Sequence, residues 1–227
     1  MSLDPSIFVV VPAYNEAEAI GGVLEELRRT AATIVVVDDC STDDTVAIAR
    51  AAGATVLRHA VNRGQGAALQ TGLRYALLQG AKIIVTFDSD GQHDAADLAA
   101  LVAPIRAGRA EFVLGSRFLE PRSTIPPARR FLLKLAVVFT RLTSGLRVTD
   151  AHNGLRALSR RAASSIDIKL DRMAHASELM DQIRRGGLPY AEVAVSVRYT
   201  PYARRKGQRG VHALRVAFDY LVGRWVR

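Results

Sequence analysis

The segment FDSDGQHD (87–94) places two carboxylates, Asp88 and Asp90, one residue apart directly after the apolar run KIIVT. Such a run, rich in β-branched residues, predicts a buried strand. Like charges this close repel and raise each other's pKa, so a positive partner is expected beside them. Carboxylate oxygens at alternate positions suit Mg²⁺ or Mn²⁺, and Gln92 continues the spacing with a carbonyl oxygen. The segment therefore predicts a divalent-metal site held by Asp88, Asp90 and Gln92.

The same acids have an alternative explanation as the start of a helix, where acidic side chains are favoured. Asp94 and Asp97 are predicted to be such caps or first-turn acids. A calcium loop of the EF-hand type fits poorly, because its glycine comes too early and no glutamate closes it. Asp88 and Asp90 remain the metal candidates.

A second acidic pair, Asp38 and Asp39, follows the apolar run TIVVV. Carboxylates just past a strand end can accept hydrogen bonds from a base or a ribose. Capping of the next helix explains this pair equally well. That helix is predicted at 43–52, with Ser41 or Thr42 as its N-cap.

The glycines of NRGQGAALQTG (62–72) match a dinucleotide-binding fingerprint only in part. Gly64 and Gly66 fit the pattern, but Leu69 occupies the place of its third glycine. The Rossmann fingerprint is therefore absent, and a tight turn from strand into helix explains the two glycines equally well. The chain also lacks the GxSxG of a nucleophile elbow, a P-loop and the spacing of a zinc site.

Strand and helix signals alternate through the first 118 residues. Strand signals cover 7–16, 33–45, 54–59, 82–86 and 111–117, and helix signals cover 17–30, 43–52, 64–80 and 94–107. This alternation predicts an α/β fold with a mostly parallel sheet and helices on both faces. Ligands of such sheets bind beyond the carboxyl ends of the strands. Four polar pairs fall there and are expected to converge on one edge: Asn15 and Glu16, Asp38 and Asp39, Asp88 and Asp90, and Ser116 and Arg117.

Beyond residue 118 the pattern is less regular. The proline-rich loop EPRSTIPPARR is followed by a predicted helix at 131–145, a loop, short strand and turn in TDAHNGLRALSR, a helix at 171–185, a strand at 188–200, a basic loop at 204–210 and a helix at 211–227. No internal repeat or linker separates the two parts. Residues 1–227 are therefore predicted to form one domain.

The composition fits a folded domain. The chain has 227 residues, of which 49% are hydrophobic. No apolar run approaches the ~20 residues that a bilayer span needs, and the N-terminus lacks the features of a secretory signal. The single cysteine, Cys40, excludes an internal disulfide and suits a reducing cytoplasm.

The charge is less ordinary, since the formal net charge is +9 and arginines dominate after Arg106. This excess predicts an anionic partner: nucleic acid, an acidic membrane surface or a phosphorylated ligand. Arginine pairs bidentately with phosphate oxygens, although any single arginine here is as well explained as a solvated surface residue. Aromatic residues make up only 6% and no nucleic-acid-binding motif stands out. A nucleic-acid-binding protein is therefore the remote alternative.

Five stretches together resemble the family 2 glycosyltransferases, which have a GT-A fold. They are VVPAYNEAEAI, VVVDDCSTDDT, NRGQGAALQTGL, FDSDGQH and GSRF, in family order and at family-like spacing. The resemblance is strong over 7–120 and continues more loosely to about 210, through Asp150, Glu178 and the RRKGQ loop. The branch it resembles most is that of the polyprenyl-phosphate sugar synthases, of the dolichyl-phosphate mannose or glucose type.

The resemblance implies site residues. The donor nucleotide would be held by Pro12, Ala13, Tyr14, Glu16, Asp39, Gly66, Asp88 and Ser89. Mg²⁺ or Mn²⁺ bound by Asp88, Asp90 and Gln92 would bridge the donor diphosphate. The catalytic set would be Asp90, Arg117 and Asp150, the last as a base or as a positioning residue. The acceptor phosphate would be held by Arg117, Arg129, Arg130, Arg204 and Lys206.

The resemblance also implies a reaction. A sugar would pass with inversion from a UDP- or GDP-sugar to a polyprenyl or dolichyl phosphate at the cytoplasmic membrane face. Residues 1–118 would form the nucleotide-sugar-binding half and 119–227 the acceptor half. Gln208 and Arg209 depart from the family, in which serine often follows the lysine-glycine pair, and C-terminal membrane spans are missing. A soluble, glycan or protein acceptor is therefore the main alternative.

Contact with the membrane has several explanations. The helices predicted at 129–142 and 211–227 are apolar on one side and basic at the edges, which suits the surface of an anionic bilayer. An ordinary core-facing helix explains each of them equally well. A homodimer interface or a small membrane partner would also use such helices.

Overall fold

The centre of the structure is a sheet of seven strands in the part of the chain that is described. This computed structural model describes residues 4–30, 32–120, 125, 127–151, 153–170, 174–198 and 202. The strands are β1 (Ile7–Ala13), β2 (Thr33–Asp38), β3 (Thr55–Arg58), β4 (Ile83–Thr86), β5 (Phe112–Ser116), β6 (Arg156–Ser159) and β7 (Tyr190–Ala194). Their spatial order is β3-β2-β1-β4-β6-β5-β7.

The strand directions bring most carboxyl ends to one edge of the sheet. β1 pairs in parallel with β2 and β4, and β2 pairs in parallel with β3. β6 is antiparallel to both of its neighbours, β4 and β5, while β5 and β7 are parallel. Because β6 is antiparallel to both β4 and β5, the strands β4 and β5 run in the same direction. The carboxyl ends of six strands and the start of β6 therefore meet at one edge, which confirms the mostly parallel sheet.

Helices cover both faces of this sheet. They are α1 (Ile20–Arg28), α2 (Thr45–Ala51), α3 (Gln65–Leu78), α4 (Leu98–Arg106), α5 (Pro127–Ser144), α6 (Arg160–Ser165) and α7 (Ala174–Arg185), with a 3-10 turn at Ala95–Asp97 before α4. One apolar cluster joins α3, α5, α6 and α7 to one face, and a second joins α1, α2 and α4 to the other.

Alternation of side chains along the strands produces these two clusters. Val10 of β1 lies in the first and Val9 in the second, since successive residues of a strand point to opposite faces. Gly72 lets α3 lie close to β1, because a Cβ there would come 2.2 Å from Val10 Cγ1. The core is thus built around the strands whose ends carry the polar pairs.

Several element boundaries differ from those predicted. The first strand and the second strand end at Ala13 and Asp38, so the polar residues after them lie in loops. The helix expected from residue 43 begins at Thr45, and neither Ser41 nor Thr42 caps it. Both side chains instead bond to Asn15 of the neighbouring loop.

The second half also needs correction. The predicted turn after β6 is the helix α6, which Ser159 caps by accepting the Ala162 N–H at 3.0 Å. The strand expected at 188–200 is β7, followed by an isolated bridge between Val197 and His93. The loop 204–210 and the helix 211–227 lie outside the described residues. Among the helices that are described, none is both long and apolar enough to span a bilayer.

Candidate active site

The loops that follow β1 and β2 are bonded to each other. The Asn15 N–H donates to Ser41 Oγ at 2.9 Å, and the Thr42 N–H donates to Asn15 Oδ1 at 2.8 Å. The Glu16 N–H donates to Thr45 Oγ1 at 2.8 Å. Asn15 has a φ of +52°, a left-handed conformation that asparagine tolerates better than most residues. These bonds give the two loops one fixed arrangement at the sheet edge.

The residues predicted to hold the nucleotide in the first loop differ in exposure. Pro12 and Ala13 end β1 and are buried, whereas the Tyr14 side chain is largely exposed. Glu16 is buried, and its Oε2 accepts a hydrogen bond from the Tyr202 hydroxyl at 2.5 Å. Burial and this bond raise the pKa of Tyr202. A residue from the far end of the chain therefore closes on the loop after β1.

Asp39 fastens the turn that leads into α3. Its Oδ2 accepts the Gly64 N–H at 2.7 Å, and its Oδ1 accepts the Arg63 N–H at 2.9 Å. His59 Nδ1 lies 2.7 Å from the same Oδ1. The carboxylate is buried, so a ligand would reach only the lone pairs that these bonds leave. The adjacent Asp38 is fully buried and lies 3.3 Å from Arg58 Nε.

Asp88 lies at the end of β4 in a set of polar contacts. Its Oδ1 accepts from Gln65 Nε2 at 3.2 Å, and its Oδ2 lies 3.0 Å from His93 Nε2. Burial raises the pKa of Asp88, but the hydrogen bond and charge of His93 outweigh it and hold the pKa below its usual value. Gly154 packs directly against the carboxylate, since a Cβ there would lie 2.1 Å from Oδ2. Any larger residue at 154 would displace Asp88.

Asp90 carries the charge that the site leaves uncompensated. Burial, then the neighbouring Asp88 and more weakly Glu16, raise the pKa of Asp90 to about 6, while its bond to the Gln92 N–H at 3.0 Å only partly opposes them. Within the described residues no cationic side chain forms an ion pair with Asp90. Ser89, between the two acids, is buried. The expected mutual repulsion of Asp88 and Asp90 is thus present in the fold.

The Arg117 and Asp150 side chains form a buried ion pair. Arg117 Nε donates to Asp150 Oδ2 at 2.5 Å, and Nη2 donates to Oδ1 at 3.3 Å. The Arg117 N–H also donates to Oδ2, at 3.2 Å. Both side chains are at most 6% exposed. The guanidinium is therefore not presented to a phosphate, nor the carboxylate to a substrate proton, unless this pair opens.

Arg156 is a buried site residue that the sequence reasoning did not single out. It begins β6, opposite Thr86 of β4, and is only 2% exposed. Its Nε finds no hydrogen-bond partner among the described residues. Burial lowers the pKa of Arg156, whereas the charges of Asp88 and Asp150 raise it. The guanidinium thus lies close enough to both acids, one after β4 and one beside Arg117, for their charges to act on it.

Two histidines were also missed. His93 contacts Asp88 and His59 contacts Asp39, although neither histidine has the sequence spacing of a zinc ligand. The signal available was proximity along the chain, because His93 follows Asp88 by five residues. The expectation for Asp94 is confirmed, since it caps the 3-10 turn by accepting the Ala96 N–H.

The remaining predicted residues contact the loop before α7, lie on α5, or fall outside the described residues. Gly66 packs against the loop before α7, where a Cβ would come 2.3 Å from the Leu170 carbonyl oxygen. Glu178 fastens the same loop by accepting the N–H groups of Lys169 and Leu170. Arg130 is exposed on α5, while the Arg129 side chain, Arg204 and Lys206 are outside the described parts.

The chain is similar to known proteins in both sequence and fold. The model of the family "Glycosyl transferase family 2" matches residues 8–166. The chain belongs to glycosyl transferase family 2. The family 2 domain thus covers β1 to β6 together with Asp88, Asp90, Arg117 and Asp150, and the expected enzyme class is confirmed.

Two relatives of this family 2 glycosyltransferase have names that include a lipid phosphate as the acceptor. The UDP-N-acetylglucosamine–dolichyl-phosphate N-acetylglucosaminyltransferase of Methanococcus voltae is 31% identical over 241 residues, covering 96% of each chain. The undecaprenyl-phosphate mannosyltransferase of Micrococcus luteus is 31% identical over 171 residues, covering 71% of this chain and 70% of its own. The similarity to the polyprenyl-phosphate branch is therefore confirmed.

A solved structure supports the GT-A-type fold. Glucosyl-3-phosphoglycerate synthase of Mycobacterium tuberculosis, in complex with Mn²⁺, uridine diphosphate and glucosyl-3-phosphoglycerate, is 26% identical with a TM-score of 0.69. The alignment covers 95% of this chain and 78% of that enzyme. This neighbour binds a divalent metal together with a nucleoside diphosphate.

Proposed function

We propose that this family 2 glycosyltransferase moves a sugar, with inversion, from a UDP- or GDP-sugar to a polyprenyl or dolichyl phosphate, and that it requires Mg²⁺ or Mn²⁺. The names of the relatives support the acceptor, and the Mn²⁺ and uridine diphosphate of the solved neighbour support the donor and the metal. Residues 1–118 would form the donor half and 119–227 the acceptor half. The enzyme would work at the cytoplasmic face of the membrane.

The donor side fits a hard divalent cation. The described residues contain no group of three His, Cys, Asp or Glu side chains suited to a metal. Mg²⁺ does not need one, since it commonly takes one or two carboxylates and completes its shell with water and substrate phosphates. Asp88 and Asp90 would supply those carboxylates, and Gln92 an amide oxygen. A bound cation would neutralise negative charge on the departing nucleoside diphosphate.

The loops of the donor half would hold the nucleoside. Pro12, Ala13, Tyr14 and Glu16 would line one side of it, since their loop is fixed to the loop after β2. Asp39 and Ser89 would contact the base, ribose or diphosphate, and Gly66 would keep the entry to α3 narrow. Because these loops are bonded before any ligand arrives, little ordering would be needed on binding.

The buried pair of Arg117 and Asp150 favours a phosphate acceptor over a hydroxyl acceptor. A hydroxyl acceptor needs a base to remove its proton, whereas a phosphate monoester is already anionic near neutral pH. Asp150 is bonded to Arg117 through both carboxylate oxygens, which suits a positioning residue better than a base. A phosphate oxygen would attack the anomeric carbon while the bond from that carbon to the diphosphate breaks. The nucleoside diphosphate would leave from the opposite side.

The acceptor phosphate would then be held by cations of the second half. Arg129, Arg130, Arg204 and Lys206 are the candidates, and Arg117, which Asp150 orients, would join them once this ion pair opens. The main alternative is a soluble, glycan or protein acceptor. The M. tuberculosis neighbour favours that alternative, since its complex contains glucosyl-3-phosphoglycerate.

A product assay distinguishes the two acceptors. Radiolabelled UDP- and GDP-sugars would be incubated with the enzyme, Mn²⁺ or EDTA, and either undecaprenyl phosphate in detergent or 3-phosphoglycerate. We expect label in the organic phase only with the lipid acceptor and metal. The labelled lipid should resist alkaline phosphatase and should lose its label on mild-acid hydrolysis. Label found only in the aqueous product with 3-phosphoglycerate would overturn the lipid acceptor and favour the alternative.

A further inference from the structure

Helix α5 presents an apolar row to the solvent. Phe131, Leu135 and Val138 are 73%, 56% and 51% exposed, and Leu132 beside them is 39% exposed. Positions i, i+4 and i+7 lie on one face of a helix, so three of these side chains form a continuous stripe along α5. Exposed side chains of this size are ordinary when scattered singly, but a contiguous stripe marks an interaction surface.

The opposite face of α5 fixes how the stripe is oriented. Val137 is buried in the core cluster with Leu179, Met180 and Ile183 of α7. Thr140 is buried one turn further on. The Ser144 hydroxyl donates to the Thr140 carbonyl oxygen at 2.7 Å. The stripe is therefore not a core-facing surface of the described fold, which answers one of the explanations that the sequence left open.

The charge beside the stripe has one sign. Arg130, Lys134 and Arg141 are exposed and lie on one side of it, at i, i+4 and i+11. Residues 127–144 contain no Asp or Glu. Arg147 follows the helix and is also exposed. An apolar stripe with cations along its edge has the composition of a helix that lies in a membrane interface.

We propose that α5 docks this enzyme on the surface of an anionic bilayer, with Phe131, Leu135 and Val138 in the boundary between headgroups and acyl chains. Arg130 and Lys134 contact the lipid phosphates, while Arg141 Nε donates to the Val148 carbonyl oxygen at 2.8 Å. The proposal rests on the proposed lipid-phosphate acceptor for its purpose, but the surface itself is argued from α5. Five residues separate α5 from Asp150 along the chain, so docking places the acceptor side of the sheet edge near the bilayer.

Charge favours a bilayer over the other occupants of this surface. A second copy of α5 would bring the same cations against these, and like charges in contact are unfavourable. The chain's own last segment is also basic: residues 203–227 contain one acid, Asp219, and seven cations, Arg204, Arg205, Lys206, Arg209, Arg215, Arg224 and Arg227. An anionic lipid surface complements both the stripe and its edge.

Sedimentation with vesicles tests the docking. The full chain would be mixed with phosphatidylcholine vesicles, with and without phosphatidylglycerol, and the bound fraction measured at low and high salt. We expect binding to the anionic vesicles that salt weakens, and a Kd raised roughly tenfold or more by Leu135→Glu, since this removes a buried apolar side chain from the interface. Lys134→Glu should weaken binding to anionic vesicles less.

Leu78→Glu is the matched control. Leu78 ends α3 and is 83% exposed, so the same change of charge is made at an apolar surface residue outside α5. Its vesicle binding should equal that of the wild type. Equal binding by Leu135→Glu and the wild type would overturn the proposal, as would equal binding to neutral and anionic vesicles. Wild-type chain that stays in solution, with a dimer in light scattering that Leu135→Glu dissociates, would also overturn it in favour of a second copy.

The same variants separate this proposal from the proposed function. With acceptor dissolved in detergent, Leu135→Glu should transfer sugar as well as the wild type, and with acceptor in anionic vesicles it should be slower. If no lipid acceptor is used in either form, the proposed function fails while the sedimentation result still stands. If Leu135→Glu transfers sugar as fast as the wild type both in detergent and in anionic vesicles, the proposed function stands and docking by α5 fails.

Discussion

The proposed donor and acceptor sides of the sheet edge differ in how their charges are compensated. After β4, no cation among the described residues forms an ion pair with Asp90, and burial, then the neighbouring Asp88, raise the pKa of Asp90 to about 6. After β5, Arg117 and Asp150 satisfy each other through both carboxylate oxygens. A charge that the fold leaves uncompensated marks a place for a ligand of opposite sign, whereas a paired charge holds structure. Substitutions that remove one charge at a time test this distinction.

The largest expected effect comes from the uncompensated side. Asp90→Asn should lower metal-dependent transfer by about 10³-fold, since it removes a proposed metal ligand and with it the neutralisation of the leaving diphosphate. Transfer rates at saturating donor with Mn²⁺ would measure this. Asp94→Asn, a helix-capping acid four residues away, is the control and should stay within a few-fold of the wild type. Full activity in Asp90→Asn would show that the unpaired acid is not the metal site.

The next effect concerns the cation between the two sides. Arg156→Met should lower the free energy of unfolding by about 3 kcal/mol, because it leaves Asp88 and Asp150 without the buried positive charge that faces both. Urea unfolding at neutral pH would measure it. Arg156→Lys keeps the charge and should cost less. A methionine variant as stable as the wild type would mean that Arg156 compensates neither acid.

The pH dependence of stability provides a smaller and more specific test. The pKa of Asp90 is raised in the folded state, so that state binds its proton more tightly than the unfolded chain does. Ionised Asp90 therefore destabilises the fold, and its cost grows from about pH 4 to about pH 6 and then stays constant. The full cost approaches about 3 kcal/mol as an upper value.

In EDTA, Asp90→Asn should thus be more stable than the wild type above about pH 6, and this advantage should shrink as the pH falls toward 4. Thermal unfolding of both proteins over this range would show the difference, and the titrations of groups distant from Asp90 cancel in it. An advantage that is absent, or that is independent of pH, would contradict the uncompensated charge at Asp90.

The smallest effect is expected on the paired side. Asp150→Asn should lower kcat/KM by about tenfold and leave the shape of its pH profile unchanged, because Asp150 orients Arg117 and removes no proton. A general base typically contributes about 10²–10⁴-fold and its loss removes a limb of the pH profile. Profiles of kcat/KM against pH for both enzymes decide between the two roles. Loss of the acidic limb would make Asp150 a base and weaken the case for a phosphate acceptor.

The convergence of the acids on one edge of the sheet was largely predictable because its signals are local. Each acid directly follows its own apolar run, and the parallel arrangement of those runs places their ends together. The metal candidates Asp88 and Asp90 needed no knowledge of distant contacts. The local signal could not predict the partners of Asp39. They are His59, Arg63 and Gly64, which follow β3 and lie at least 20 residues away in the sequence.

The proposed acceptor side was less predictable because its contacts are long-range. In the sequence, Arg156 is one residue of a predicted short strand in NGLRALS. Its burial depends on the antiparallel position of β6 between β4 and β5, which the sequence does not show. The pairing of Arg117 with Asp150 joins residues 33 positions apart. The exposed stripe of α5 has the same periodicity as a core-facing helix, so only the packed structure distinguishes them.

The most direct test of the central claim is whether nucleotide binding needs the metal. Thermal shifts of the wild type would be recorded with UDP, GDP and their sugars, each with Mn²⁺ and with EDTA. At a concentration of ~100 times its Kd, the correct nucleotide should add ~2.7 kcal/mol of stability, and only when Mn²⁺ is present. No shift with any nucleotide, or an equal shift in EDTA, would contradict a donor site built on Asp88 and the unpaired charge of Asp90.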